Sequence, residues 1–557
     1  MIEPPFEDLL WVVEMGLERG KHLLNSDELN YLNLLCSLPA DEGGIFARLW
    51  LRKPGPYDVD ALSQRWGENT VGYIAQMVSA GLLIEVNEPA QCLPKMTVPQ
   101  LKYLARAARV STRGPKLSLV SRLLDTDIQW DDLWVGIPQR RLLTWLTQWC
   151  FLRKHPPIQT MVLERLGKRV WPEYAETPGK WGFDTRVQLD EWWNRFETLE
   201  TGEASLEQLF YWIEYPVGPY RFSLRRTVER FIWTYFDGFV SVGDYESCLN
   251  VLERLSTTCA TVTTQHLNRH VRLLEQMDEV SKAYLLLAER FSTLSRVEQH
   301  QFMPLARRLG RKRNVGWKPL PILEKAKVRT LTLRQRGTSG RRPQYEVEGE
   351  AYFVEDGVRA YFQRFDATLV RAEGGFLTSL YALFFSSIYF LPKGEMLPVR
   401  FLKGPLDVGR PAFFDRLEEE IERVLTDISH GRGCEMIQQT FTRFEGMQLA
   451  GMQWGLLKPK QWQQWVQDIG PERLERLVRF IVKTGFRETA GFPDLVWVCG
   501  DVHTIPNAFP RRVRQKPSFI EVKSPSDSMS HRQSLWMDRL IRMGFAVEQW
   551  DIEHAES

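Results

Sequence analysis

The chain has little that would staple or anchor it. Its 557 residues hold seven cysteines, at 36, 92, 150, 248, 259, 434 and 499, with no C-x-x-C pair and no matching histidine spacing. That excludes the common structural zinc sites and a disulfide framework, and the thiols read as reduced and intracellular. No apolar run reaches the ~20 residues that span a bilayer. The longest, FLTSLYALFFSSIYFL (376–391), has 16 residues and is expected to be a buried helix. The opening MIEPPFEDLLWVVEMG has acids where a signal peptide needs basic residues, so a cytoplasmic protein is expected. Low-complexity tracts are absent as well. What remains is 43% hydrophobic and 12% aromatic, the composition of a globular protein. At this length a single core has stopped growing, so several domains are expected.

A net charge of only +2 conceals an uneven distribution. Between Gln301 and Tyr345 stand 13 Lys or Arg and one acid, Glu324, which leaves 59 basic and 69 acidic residues elsewhere. A solvated basic linker and a phosphate-tracking surface both fit that segment, and its candidates for DNA backbone contact are Arg307, Arg308, Arg311 and Arg313. Residues 1–94 mix helical periods with a strand-like GLLIEV (81–86), as a winged-helix-like domain would. Residues 95–136 contain MTVPQLKYLARAARVSTRGPKLSLVSRLL, a helix–turn–helix pattern with Thr97 as N-cap, Pro99 in the first turn and STRGP as the break. Leu101, Leu104 and Ala108 fall on one expected apolar face, and Leu117, Val120 and Leu124 on another. Its six basic residues, among them Lys102, Arg106 and Lys116, occur without an acid. The arrangement resembles the SAP module, which binds duplex DNA through its backbone; an ordinary basic hairpin is the alternative. Residues 137–320 read as a helical, tetratricopeptide-like array without a clean repeat signature.

Chemistry concentrates in residues 321–557. In GFPDLVWV, Asp494 stands at the mouth of a strand-like run, and Pro493 is tolerated there because no ladder donor is lost. After a loop containing RRVRQK (511–516), SFIEVKS forms a second run. Strand side chains alternate, so Glu521 and Lys523 share one face and Val522 takes the other. If the two strands pair, Asp494, Glu521 and Lys523 converge. Two carboxylates can hold a hard divalent cation, and an ammonium can steady charge developing on a phosphodiester. An ion cluster at a sheet edge is the structural alternative.

FPD, then EVK 27 residues after the Asp, then SHRQ opening a helix, resembles the PD-(D/E)xK nucleases and among them the VRR-NUC domain. Upstream, EGEAYFVEDGVRAYFQRF…RAEGGFLTSLYALFF is similar to a segment of the Fanconi-anaemia-associated nuclease family, and IFARLWLRKPGPY (45–57) and the SAP-like stretch follow in that family's order. The resemblance implies an α/β nuclease domain, with a central mixed sheet flanked by helices, behind mostly helical N-terminal and middle parts. It makes Glu373, Asp494 and Glu521 metal ligands, adds the main-chain carbonyl of Val522, and makes Lys523 catalytic. Glu373 could equally be a helix-start acid, and Ser530-x-x-Gln533 is also a capping box. The resemblance further implies a 5′-phosphate grip by Arg487 and Arg532, with Gln533 and His531 nearby.

On that footing the expected activity is a structure-specific DNA nuclease, a 5′ flap endonuclease and 5′-to-3′ exonuclease using Mg2+ or Mn2+. The expected partners are flap, nicked or branched duplexes, and the role is DNA repair, including interstrand crosslinks. Eukaryotic members carry a ubiquitin-binding zinc finger that no Cys/His set here could form. A bacterial-type, nucleoid-associated protein is therefore expected. A junction-resolving or restriction-type endonuclease, and a DNA-binding scaffold with an inert nuclease fold, are the rivals.

Overall fold

Hydrophobic periodicity along the chain resolves into two compact units in the computed structural model. The structure describes residues 4–126, 133–151, 164, 167–177, 183–218, 223–258, 264–317, 320, 322–339, 342–500, 517–525 and 527–554. The basic RRVRQK stretch lies outside the described residues, as does Cys259.

The first unit contains residues 1–169, 180–204 and 215–226. Its helices Val59–Trp66 and Asn69–Ser79 stand beside a three-stranded antiparallel sheet of β1 (Tyr57–Asp58), β2 (Ile84–Glu85) and β3 (Trp134–Gly136), in the order β1-β3-β2. The expected strand at 81–86 is thus two residues long. The central strand comes from residue 134 onward, so the basic hairpin is inserted into this sheet. Its helices are Val98–Ala107 and Lys116–Leu124. Thr97 caps the first reciprocally with Gln100, and Pro99 sits in its first turn, where a missing N–H costs nothing. Leu101 and Ala105 are buried with Leu119, Val120 and Leu123, and Trp134 of β3 joins the same core. The second helix therefore buries a different face from the one expected. Leu117 is 82% and Leu124 44% exposed, because the helix begins only at Lys116 and turns positions 119, 120 and 123 inward.

The second unit joins a helical array to the nuclease-like domain. Helices Thr264–Gln276, Val280–Phe291 and Arg296–Lys312 share a core of Leu267, Val271, Leu287, Phe302 and Leu309. The two units cut across the four sequence segments, since helices after Thr227 belong with the C-terminal domain. That domain is built on seven strands: β4 (Lys327–Ser339), β5 (Arg342–Val347), β6 (Glu350–Tyr352), β7 (Thr368–Arg371), β8 (Leu495–Cys499), β9 (Phe519–Lys523) and β10 (Val547–His554). Their order is β6-β5-β4-β10-β9-β8-β7, with β4, β10 and β9 parallel and the other neighbours antiparallel.

Alternation assigns the two faces. Leu495, Trp497, Ile520, Val522, Trp550 and Ile552 pack with helix Val354–Gln363. Val496, Val498, Phe519 and Val547 face the other core, with helix Phe376–Tyr389 and helix His531–Arg542. Phe376–Tyr389 is the buried helix expected from the 16-residue apolar run; twelve of its residues are buried. Each large apolar side chain fully buried there contributes about 1.5–3 kcal/mol against exposure.

Candidate active site

The pairing of β8 with β9 sets Leu495 opposite Ile520 and Val496 opposite Phe519, which carries Asp494 to Glu521. Asp494 shares the parity of Val496, and Glu521 and Lys523 that of Phe519, so all three lie on one face. Beyond the last ladder pair, the Asp494 carboxylate takes the place of a strand: its Oδ2 accepts the N–H of Val522 at 2.9 Å. The C=O and N–H of one strand residue point to the same side, so the Val522 carbonyl also faces Asp494. Strand β7 locks in from the far side, with Ala372 N–H donating to the Asp494 carbonyl at 2.8 Å. Glu373 follows Ala372 directly and is exposed. Gly374 takes φ 77°, a left-handed conformation that favours glycine, and the Gln453 amide lies against Gly375.

Glu521 is fully buried. Its Oε1 accepts from Lys523 Nζ at 2.7 Å and from Gln533 Nε2, while its Oε2 has no hydrogen-bond partner among the described residues. Gln533 is the joint of the arrangement. Its Oε1 accepts from Ser530 N–H at 2.9 Å and from Lys523 Nζ at 3.3 Å, so the capping box that starts helix His531–Arg542 also positions the lysine. The capping box expected at Ser530-x-x-Gln533 is present, and the same side chain reaches Glu521 and Lys523.

Burial pushes the Glu521 carboxyl up to about 8, the neighbouring Asp494 charge adds to it, and Lys523 opposes without cancelling it. Asp494 is also raised, first by burial, with Val522 N–H and Lys523 opposing and the charges of Glu355 and Glu373 adding. Two crowded carboxylates, one with an orphaned buried oxygen, are what a divalent cation relieves. The donor set therefore fits such an ion. Among the described residues no three His, Cys, Asp or Glu stand at a common ligand spacing. Glu373 is close enough to act on Asp494 by charge but is not gathered with the pair.

Glu355 was missed from the sequence. It lies in the first turn of helix Val354–Gln363, and its charge acts on Asp494 more strongly than that of Glu373. Arg371 reaches it at 3.6 Å and Asp356 at 2.9 Å. In sequence it reads as an ordinary N-terminal helix acid; only the sheet order reveals what it faces.

Of the expected phosphate grip, Arg532 and His531 are exposed at the start of helix His531–Arg542. Gly491, at φ 85°, lets the loop before Asp494 press on Arg532, where a Cβ would meet it at 2.7 Å. Arg532 lines a cavity of about 50 Å³ with Glu488, Trp536 and Arg539. Arg487 belongs to the short helix Phe486–Thr489 beside it, and its side chain lies outside what is described. Arg539, two turns after Arg532, was not anticipated; it lies over Phe480 and Trp536 at 3.9 and 4.8 Å.

The backbone-contact candidates divide. Lys102 and Arg106 are exposed and Lys116 half-buried. Arg307 and Arg311 are exposed, with no acidic partner among the described residues. Arg308, by contrast, is bound by Glu275, as is Lys312, and Arg313 lies over the Tyr284 ring at 4.8 Å.

Comparison with known proteins agrees with this arrangement. The VRR-NUC domain family matches residues 430–551, a span that includes Asp494, Glu521 and Lys523 and begins after Glu373. The Fanconi-associated nuclease 1 homolog of Oryza sativa subsp. japonica is 24% identical over 223 residues, 36% of this chain and 22% of its own length. Fanconi-associated nuclease 1 of Ailuropoda melanoleuca is 28% identical over 204 residues, 35% of this chain and 18% of its own. The chain thus spans about a fifth of the length of the curated relatives it matches. The crystal structure of paFAN1 bound to DNA with a 2-nt 5′ flap and a gap has the same fold, at TM-score 0.81 and 17% identity over 100% of both chains.

Proposed function

We propose that this chain, which carries a VRR-NUC domain and the fold of the Fanconi-associated nucleases, is a metal-dependent, structure-specific DNA nuclease that cuts at 5′ flaps in DNA repair, interstrand crosslinks included. The observation that carries the reading is the buried Glu521 beside Asp494, with one carboxylate oxygen unsatisfied and Lys523 held against the other. The PD-(D/E)xK type of site implies a divalent metal ion, and Mg2+ or Mn2+ is proposed. Asp494, Glu521 and the Val522 carbonyl would hold it, with Glu373 or Glu355 completing the set. Such an ion supplies Lewis-acid polarisation of the phosphodiester and lowers the pKa of water.

The chain's own groups do the positioning. Lys523 Nζ, held by Gln533, would steady the negative charge that develops on the phosphoryl oxygens. Water oxygen bonds to phosphorus, one P–O bond to a neighbouring sugar breaks, and the leaving oxygen takes up a proton. The exposed Arg307 and Arg311 and the hairpin residues Lys102 and Arg106 follow phosphates without reading bases. Arg532, with Arg487, is proposed to take a terminal 5′ phosphate at a helix start. The location expected from sequence, the bacterial-type nucleoid, suits that role. End-labelled flap, nicked, four-way and single-stranded DNAs, each with and without Mg2+, test the reading: flap cleavage that requires the ion is expected. Cleavage of four-way junctions ahead of flaps would favour a resolvase, and absence of any cleavage an inert scaffold.

A further inference from the structure

A cavity of about 440 Å³ opens beside the candidate active site, on the same face of the sheet. Val328 of β4, Met529, Met537 and Leu323 form its apolar walls, and the Gln549 amide and Ser534 are its polar groups. Strand register fixes where it lies. Gln549 is the neighbour of Glu521 on β10 and of Val328 on β4, and register partners in parallel strands point to one face. Ser534 follows Gln533 directly. The cavity therefore lies one strand away from the Glu521–Lys523–Gln533 cluster.

Its mouth is unusual for a soluble surface: Ile322 is 88% and Val328 57% exposed, beside exposed Lys325 and Lys327. Glu324 lines the same mouth, with its backbone N–H anchored on Asp538 Oδ1 at 2.8 Å. An apolar slot with one amide inside and the Lys325 ammonium at the rim matches a nucleotide, the planar base inside and the backbone phosphate at the lysine. Its volume lies within the range that encloses a small organic ligand.

On the nuclease reading above, we propose that this cavity receives one unstacked nucleobase of the DNA next to the cut. Gln549 Nε2 donates to Asp551 Oδ1 at 2.7 Å, so its Oε1 accepts from the base edge, Met529 and Met537 hold the faces of the base, and Lys325 holds the adjoining phosphate. The pocket makes strand opening beside the cut part of substrate selection, because an unpaired flap nucleotide enters it at less cost than a base in an intact duplex.

The test uses the full chain and 5′ flap DNAs that each carry a single abasic site, moved one nucleotide at a time through the cut region. One position should slow wild-type cleavage in Mg2+ by about ten-fold. Val328→Trp, an exposed position that fills the mouth, should cut intact flaps as slowly as wild type cuts that abasic substrate, and should be insensitive to the abasic site. Gln549→Leu should lose discrimination between bases at that position. At the same position 2-aminopurine should change fluorescence before the cut with wild type and not with Val328→Trp. Flap cleavage that is indifferent to every abasic position, or an equal abasic effect in Val328→Trp, overturns the pocket and leaves the nuclease reading standing. If the protein neither binds nor cuts flap DNA, both fall.

Discussion

Two buried glutamates on adjacent strands of the same sheet have opposite fates. Glu548 on β10 is fully answered: Arg329 donates to both its oxygens, at 2.7 and 2.6 Å, and the Trp550 indole N–H adds a third bond at 2.8 Å. Glu521 on β9 is more deeply buried, yet its two donors crowd one oxygen and leave the other bare. A bare oxygen alone does not distinguish Glu521, since Glu420 takes Lys393 and Arg423 on Oε1 and leaves Oε2 without a partner among the described residues. What sets Glu521 apart is the second acid at its side, Asp494, whose carboxyl is also raised by burial, a pair that a cation would relieve.

Substitution should separate the two glutamates most sharply. Asp494→Ala, Glu521→Ala and Lys523→Ala should each reduce flap cleavage by at least about 10³-fold while binding stays within a few fold. Arg329→Ala should leave cleavage by the folded protein intact and cost about 3 kcal/mol in urea unfolding, because it strands a buried charge. Equal effects of the two classes on cleavage would erase the contrast.

The next largest effect is on pH. The Glu521 carboxyl is raised to about 8, so the folded state keeps a proton that the unfolded chain has already lost above its ordinary carboxylate range. In the metal-free protein the contribution of this group to stability should then be full below that ordinary value and be lost as pH rises toward 8, by at most about 1.4 kcal/mol per unit. Glu521→Gln should flatten this slope, and so should Mg2+, which takes the proton's place. Thermal melts with and without EDTA read both, and a slope that survives in Glu521→Gln places the proton elsewhere.

The same distinction between answered and open groups applies to the arginines. Arg307→Gln with Arg311→Gln should lower the slope of log affinity against log salt by about 2. Arg308→Gln with Lys312→Gln should barely move it, since Glu275 already holds both cations. Smallest of all, Arg487→Ala with Arg532→Ala should remove only the preference for phosphorylated over hydroxyl 5′ ends, measured as a ratio of cleavage rates.

Much of the site was legible because strand alternation is strict. Once FPDLVWV and SFIEVKS read as strands, the shared face of Asp494, Glu521 and Lys523 followed, and the Ser530–Gln533 spacing marked a helix start. What a linear pattern cannot hold is which groups meet across long separations. Glu355 becomes a neighbour of Asp494 only through the sheet order, and Glu275 removes Arg308 from the open cations through helix packing. Helical period alone also left the inward face of Lys116–Leu124 one step out, because the phase depends on where the helix begins. Strand β3, three residues from beyond the hairpin, carries too little sequence to announce that it completes an earlier sheet.

The position of β10 between β4 and β9 has a mechanical consequence. Two three-stranded pieces, β6-β5-β4 and β9-β8-β7, are stitched together through this one strand, which the ribosome makes after all the others. Until residues 547–554 emerge, β9 has nothing on its β4 side, and the carboxylate pair stands on an open edge. The sheet closes like a zip whose slider arrives last, so a half-made chain carries the cutting residues without the frame that holds them in place.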